Sequence, residues 1–276
     1  MLNKTPVWKK AVLYAVLILI CVATLLPLVW MLSASLKLDK DVFRIPIEWI
    51  PSNPAWSNYQ RIWDQVPMLQ FTFNTFKITV ITTVIQVFTC SFAAYGFAKC
   101  QFRGRNLLFL IYVATIAVPW QVYMLPQYSM MNKFGLVDTH ASLILLHAFD
   151  AFGVFLLRQF CMGIPNELLE AARIDGLSEY GIYRKIVLPQ MGPSIATLVI
   201  FTFVTNWNDF MGPMIYLNST ELKTVQLGIR MFMGQYSTEY GLIMAASVVS
   251  LIPVIIVFLI FQKKFVQGIA TSGLKG

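Results

Sequence analysis

Between Ala11 and Leu36 the chain carries no Asp, Glu, Lys or Arg, and the same holds from Ile78 to Ala98 and from Asn106 to Asn132. An α-helix needs roughly 20 apolar residues to cross a bilayer, so each of these runs is long enough to do so. Three more follow: Thr139–Leu157, interrupted by His147 and Asp150 and closed by Arg158; Gly192–Asn208, continuing to Asp209; and Tyr240–Gln262. Inside a hydrocarbon layer the backbone has no water to bond to, and a helix satisfies its own N–H and C=O groups. Hydrophobic residues make up 57% of the chain and charged residues 12%, against about 25% charged in an ordinary soluble domain. The pattern therefore predicts an all-α membrane protein of six transmembrane helices, near 11–34, 72–98, 106–126, 139–160, 191–212 and 240–262, forming one transmembrane domain over 1–276. Pro27 and Pro253 fall inside the first and sixth runs, and the third is expected to end or bend near Pro119 and Pro126. Ser33-Ala34-Ser35 could pass for a signal-peptidase site, but the run before it is longer than a signal-peptide core, so the first helix is read as uncleaved.

The net charge of +8 does not point to nucleic acid, because no basic stripe is interleaved with aromatic residues. The basic residues stand instead at the ends of apolar runs. Six spans put both termini on one side. If that side is cytoplasmic it collects Lys4, Lys9, Lys10, Lys99, Arg103, Arg105, Arg158, Arg173, Arg184, Lys185, Lys263, Lys264 and Lys275, which leaves a minority for the outside. Cys21, Cys90, Cys100 and Cys161 are scattered without the spacing of a metal site, and two of them lie inside apolar runs, where a disulfide framework is not expected.

Residues Lys37 to Met68 cannot be a span. Pro46, Pro51, Pro54 and Pro67 interrupt them, and Trp49, Trp56, Tyr59 and Trp63 are spaced between. Aromatic rings resting at the membrane interface explain this loop, and a docking surface for an external partner is the other reading.

The long charged segment between apolar runs is Pro165–Pro189, which the positive-inside asymmetry places in the cytoplasm between the fourth and fifth spans. Asn166 is read as an N-cap and Glu167 as first-turn negative charge. Leu168, Leu169, Ala171, Ala172 and Ile174 then supply the apolar surface of a short helix. Gly176 suits the left-handed residue after its end, and Ser178 suits the cap of a second helix carrying Ile182, Tyr183 and Ile186. The order Glu170-Ala171-Ala172, three residues, Gly176, nine residues, Ile186, one residue, Leu188-Pro189 resembles the EAA motif of ABC importer membrane subunits at every fixed position. Further stretches resemble the carbohydrate-importer branch of that family, in the subunit type of the second maltose permease: Asn58-Tyr59, Ala93-Ala94-Tyr95-Gly96-Phe97-Ala98, Phe155–Phe160, Asn206-Trp207-Asn208-Asp209-Phe210 and Lys275-Gly276.

That resemblance implies a permease subunit in a prokaryotic cytoplasmic membrane, paired with a second homologous permease. It further implies two ATPase subunits that bind ATP and magnesium, and an extracytoplasmic solute-binding protein. The chain itself contains no Gly-x-x-x-x-Gly-Lys-Ser/Thr loop to cradle nucleotide phosphates, so no cofactor is expected in it. The resemblance makes the EAA helix a coupling helix: Glu170, Ala171 and Ala172 would meet a groove on the ATPase, and Gly176, with Asp175 beside it, would set the lever's angle. Ile186, Leu188 and Pro189 complete the motif. The solute implied is a sugar, with glycerol phosphates and other polyols as alternatives.

Ionisable groups at membrane depth are costly and usually face a bundle interior or an aqueous path, which makes Asp150 and Asp209 candidates for the translocation pathway. Trp207, between Asn206 and Asn208, has the parts to stack on a sugar and bond its hydroxyls; a ring at the membrane interface is the other reading. His147 and Asp150, three apart, would share one helix face, as a polar contact between helices or as an acid–base pair. A membrane enzyme built on that pair lacks a nucleophile, a metal site or a second titratable cluster. An ion-coupled secondary transporter would favour paired broken helices in two corresponding halves, which the sequence does not display.

Overall fold

The structure is a computed structural model that describes residues 6–234 and 238–273, with backbone alone for 269–273. Lys4, Lys275 and Gly276 lie outside the described residues. In chain order the helices are α1 (Val7–Ser35), α2 (Asp39–Val42), α3 (Asn58–Gln65), α4 (Met68–Lys99), α5 (Arg105–Ala114), α6 (Trp120–Lys133), α7 (His140–Leu146), α8 (Ala151–Met162), α9 (Asn166–Ile174), α10 (Glu179–Ile182), α11 (Leu188–Gln190), α12 (Gly192–Trp207), α13 (Met211–Tyr216), α14 (Val225–Met231) and α15 (Tyr240–Gly273). Tyr183–Val187, between α10 and α11, is a π-helical turn. Among the described residues the only β pairing is an isolated bridge, Met233 to Thr238.

Three helices are continuous, long and apolar enough to cross a membrane: α1, α4 and α15 over Tyr240–Gly268. The other three expected spans are broken. Arg105–Ala117 meets α6 at 100°, α7 meets α8 at 44°, and Glu179–Gln190 meets α12 at 77°. The count is six only if each bent pair is one span. The break before α6 has its cause at Pro119, which lacks an N–H and forces Val118 into extended backbone, φ −88° and ψ 112°. Pro126, expected to break or bend the same run, sits inside α6 without ending it.

The chain packs as two units. The first comprises residues up to Met68 together with Gly228–Leu251. Its centre is the C-terminal end of α1, where Ser33, Ala34 and Ser35 are buried. Asn58, itself buried, donates from Nδ2 to the carbonyls of Ser35 (2.9 Å) and Lys37 (2.8 Å), and so satisfies acceptors that the end of α1 leaves open. The Tyr59 hydroxyl bonds Ser35 Oγ at 2.8 Å. The start of α15 joins this knot: Gly241 N–H donates to Asp39 (2.8 Å), and Arg61 pairs with Glu239 at 2.6 Å. A Cβ on Gly241 would stand 2.6 Å from the Lys37 carbonyl, so only glycine lets the two backbones meet there. Most of α1 is apolar and exposed, as a lipid-facing surface must be. In the 37–68 loop Trp49, Trp56 and Trp63 are exposed, while Tyr59 is tied down as described.

The second unit comprises Leu69–Leu227 and the chain from Ile252 onward. Along α4, Thr75, Thr79, Thr82 and Gln86 form a buried polar seam. At one end of α4, Asn74 donates to the carbonyls of Glu221 (2.8 Å) and Lys223 (3.0 Å). Asp138 stands in the left-handed region at φ 60°, and its carboxylate accepts from the backbone N–H groups of Asn218 (2.8 Å) and Ser219 (2.9 Å) and from the Ser219 hydroxyl. Those bonds hold the Asp138 carboxyl below the usual carboxylate range. At the other end lies one apolar cluster that includes Ala94 and Tyr95 of α4, Val154, Leu157 and Cys161 of α8, Leu169 and Ala172 of α9, and Ile182.

Candidate functional site: the loop between α8 and α12

The segment 165–190 folds as the bent pair of helices its composition calls for, with one change at its start. Pro165, in extended backbone, stands at the N-cap of α9, and Asn166 is the first helical residue. The Asn166 side chain accepts instead from Lys99 Nζ, 2.8 Å away. At the far end Gly176 has φ 83°. Its N–H bonds the Arg173 carbonyl, and the Leu177 N–H bonds the Ala172 carbonyl, both at 3.0 Å. This is a Schellman motif, whose geometry requires a residue without a Cβ penalty at φ > 0. Leu177 packs on the apolar cluster, which completes the motif. Ser178 caps α10, its Oγ accepting from Gly181 N–H at 3.2 Å.

The two alanines of the motif, about 100° apart around α9, meet different surroundings. Ala172 and Leu169 are buried in the chain's own core, whereas Ala171 is exposed beside Glu167, Glu170 and Asp175. The expectation that Ala171 and Ala172 together enter a partner's groove is thus corrected. A nine-residue helix turns through only two and a half turns, and Ala172 shares the inward stripe with Leu169 three positions earlier. The outward face carries Leu168, 44% exposed, and Ile174, 86% exposed. Ile174 is among the most exposed large apolar side chains of the described residues. In the rest of the motif Ile186 and Leu188 are half-buried against the cluster, and Pro189 is exposed.

Arg173 and Glu179 close the bend. Their ion pair, Nε to Oε1 at 2.8 Å, joins α9 to α10 across Gly176. Arg173 first, and the Tyr95 hydroxyl second, hold the Glu179 carboxyl below its ordinary range, while the pair raises Arg173. Three side chains of α4 reach this loop. Ser91 shares a 2.8 Å hydrogen bond with the Tyr183 hydroxyl, Tyr95 donates to Glu179, and Lys99 donates to Asn166 and to the Ile164 carbonyl. Arg158 of α8 lies over the Phe109 ring, 4.0 Å to the centroid, and donates to the Phe97 carbonyl. Residue types alone did not identify these partners. What does mark them is a spacing, since Ser91, Tyr95 and Lys99 lie four apart on one helix face.

The polar residues at membrane depth sit differently from their expected places. His147 and Asp150 do not share a helix face, because the helix breaks between them. His147 ends α7, with Nδ1 3.0 Å from the Leu143 carbonyl, while Asp150 caps α8 by accepting from Gly153 N–H at 2.7 Å. Gln86 of α4 donates to the His147 carbonyl and accepts from Thr202, and Thr89 donates to the Ala148 carbonyl, so the backbone opened by the break is bonded. Trp207 is 1% exposed, stacked on Phe203 with ring centroids 5.5 Å apart. It is a core residue of this chain. Asn206 is buried and bonds its own helix at Thr202. Asn208 is exposed, and Asp209 accepts from Gly212 N–H at 3.1 Å near the start of α13. Asp150 thus caps the helix that begins at the α7–α8 break, while Asp209 bonds the first turn of α13 from just before its N-cap, Phe210.

Residues 86–271 match the model of the family described as binding-protein-dependent transport system inner membrane component. The chain is 34% identical over 253 residues to the arabinooligosaccharides transport system permease protein AraQ of Halalkalibacterium halodurans, covering 91% of each chain. It is 32% identical over 248 residues to the sn-glycerol-3-phosphate transport system permease protein UgpE of Yersinia enterocolitica, covering 87% of this chain and 88% of the other. A crystal structure of a bacterial ABC transporter involved in the import of the acidic polysaccharide alginate shares the fold, with a TM-score of 0.82 at 24% identity over 95% of this chain. With the EAA loop, the apolar helices and these likenesses in agreement, the chain belongs to the binding-protein-dependent transport system inner membrane component family, the permeases of ABC importers.

Proposed function

We propose that this chain is one permease subunit of an ATP-driven importer for a carbohydrate or a glycerol-phosphate-type solute, in a prokaryotic cytoplasmic membrane. It has no ATPase site of its own; two partner subunits bind ATP and magnesium, a second homologous permease completes the pore, and an extracytoplasmic protein delivers the solute. The chain crosses the membrane six times, counting each bent pair as one span, with both termini and α9 in the cytoplasm. The observation that carries this reading is the outward side of α9, where exposed Leu168 and Ile174 lie with Glu170, Ala171 and Asp175 on a helix packed from behind through Leu169 and Ala172. Such a face fits a groove lined by apolar and basic groups, with α9 docking as a helix in a groove. Gly176 fixes the angle between α9 and the rest of the loop.

The solute path is proposed to involve Asn208 and Asp209, which the fold leaves accessible, with Asn206 and Asp150 shaping it through backbone bonds. The solute class rests on relatives whose names give arabinooligosaccharides and sn-glycerol-3-phosphate.

The test is reconstitution with both ATPase subunits, the second permease and the binding protein in vesicles. Glu170→Lys is expected to abolish retention of the ATPase and solute uptake together, while the subunit inserts normally. Wild-type uptake by that variant would overturn the assignment of α9 as the coupling helix.

A further inference from the structure

The loop between α8 and α12 is joined covalently to those two helices, yet its polar bonds run mainly to a third. Ser91, Tyr95 and Lys99 stand at i, i+4 and i+8 on the last turns of α4, and each grips a different part of the loop. Lys99 holds the entry to α9 through Asn166 (2.8 Å) and the Ile164 carbonyl. Tyr95 bonds Glu179 at the start of α10, and Glu179 in turn holds Arg173 at the end of α9. Ser91 bonds Tyr183, the first residue of the π-helical turn. Behind these bonds Ala94 and Tyr95 pack in the same buried cluster as Leu169, Ala172 and Ile182.

The same helix grips the broken fourth span. Gln86, Thr89 and Cys90, within about 20 Å of Lys99 along α4, bond the carbonyls of His147, Ala148 and Asp150, which is the stretch where α7 and α8 part. A continuous helix bonded at one end to the loop and in its middle to a break cannot move at one place without loading the other. The chain's own links into α8 and α12 are not continuous helix: the first passes through Gly163–Pro165 and the second through the 77° bend before Gly192.

We propose that Ser91, Tyr95 and Lys99 are positioning residues that fasten the coupling loop to α4, and that α4 carries the loop's movement to the break at His147–Asp150. This rests on the transport reading above only for the movement; the fastening itself is a property of the isolated chain. Tyr95 is central, because its hydroxyl reaches a carboxylate that also fixes Arg173, so one bond ties α4 to both helices of the loop. A charge-assisted bond of this kind resists opening more than a neutral one.

Two measurements on Tyr95→Phe, Lys99→Met and the pair together separate the parts. In the purified full-length chain in detergent, amide exchange over 174–183 is expected to quicken about tenfold in the double variant, with 198–204 of α12 unchanged. Equal acceleration in both stretches, or none in either, would overturn the fastening whatever the chain transports. In vesicles holding the complete transporter, the double variant is expected to keep its ATPase bound and hydrolysing while solute imported per ATP falls several-fold. An unchanged ratio alongside a loosened loop would overturn α4 as the carrier. Absence of uptake by the wild-type complex would count against the proposed transport function and leave the exchange result standing. Tyr95→Phe combined with Glu179→Ala serves as the cross-check: Glu179→Ala removes the Arg173 pair as well as the Tyr95 bond, so adding Tyr95→Phe to it should quicken exchange little further, the two sharing the Tyr95–Glu179 bond.

Discussion

At the scale of single residues, the structure turns several polar groups from solute contacts into caps and core members. Trp207 is the plainest case. Its neighbours Asn206, Asn208 and Asp209 suggest a binding cluster in the sequence, but an α12 residue one position along points about 100° away, and Trp207 faces the core with Phe203. Trp207→Ala is therefore expected to cost about 3–5 kcal/mol by emptying a packed site. It should abolish folded, extractable protein, whereas Asp209→Asn should leave assembly intact and lower uptake. Normal yield and melting of Trp207→Ala in detergent would contradict its place in the core. Gly176 is the other residue with a single requirement. At φ 83° a β-branched side chain meets the preceding carbonyl, a strain of about 1–2 kcal/mol, so Gly176→Val should reorient α9 and uncouple ATP hydrolysis from uptake without blocking insertion. Uptake equal to wild type would show that the angle at Gly176 is not transmitted.

At the scale of elements, the sign of the Glu179 shift gives a pH test. Its folded carboxyl titrates below the ordinary value near 4.3, so the Arg173–Glu179 pair contributes above that value and is lost as pH falls through the depressed folded one. Amide exchange around Gly176, corrected for its intrinsic pH dependence, should accelerate on acidification below about pH 4. In Glu179→Gln that acid-dependent step should be absent; its persistence would place the pH response elsewhere. The break between α7 and α8 supplies a packing test. A Cβ on Gly153 would stand 2.8 Å from Cys90 Sγ and 2.9 Å from Leu198 Cδ1, so Gly153 is what lets α8 approach α4 and α12 this closely. Gly153→Ala should destabilise by about 1–3 kcal/mol through overpacking, read as a lower midpoint of thermal unfolding in detergent.

At the scale of the whole chain, the distribution of basic residues argues that α9 shares a side with the N-terminus. Cysteine-accessibility labelling in intact cells should reach positions within 37–68 from outside and positions near Ser178 only after the membrane is opened. The reverse pattern would invert the topology.

The sequence by itself determined that this chain is helical and membrane-embedded. It also located the bent charged loop between α8 and α12, because both follow from quantities carried by composition and order: the free energy of burying apolar runs in lipid, and the φ > 0 that only Gly176 accepts easily. The cap of Ser178 and the end of α9 were legible for the same local reason. The tertiary structure decided which face of each helix is inside. Ala171 and Ala172 are adjacent letters with the same chemistry, and only packing against Leu169 and the core of α4 and α8 separates the outward one from the inward one. It likewise decided that the third, fourth and fifth expected spans are bent helix pairs. At Pro119 the sequence pointed to the place, whereas between His147 and Asp150 no breaker residue marks it. There Gln86 and Thr89, some sixty residues away in the chain, bond carbonyls that an unbroken helix would have bonded for itself, so the break is satisfied only by a contact that tertiary packing supplies.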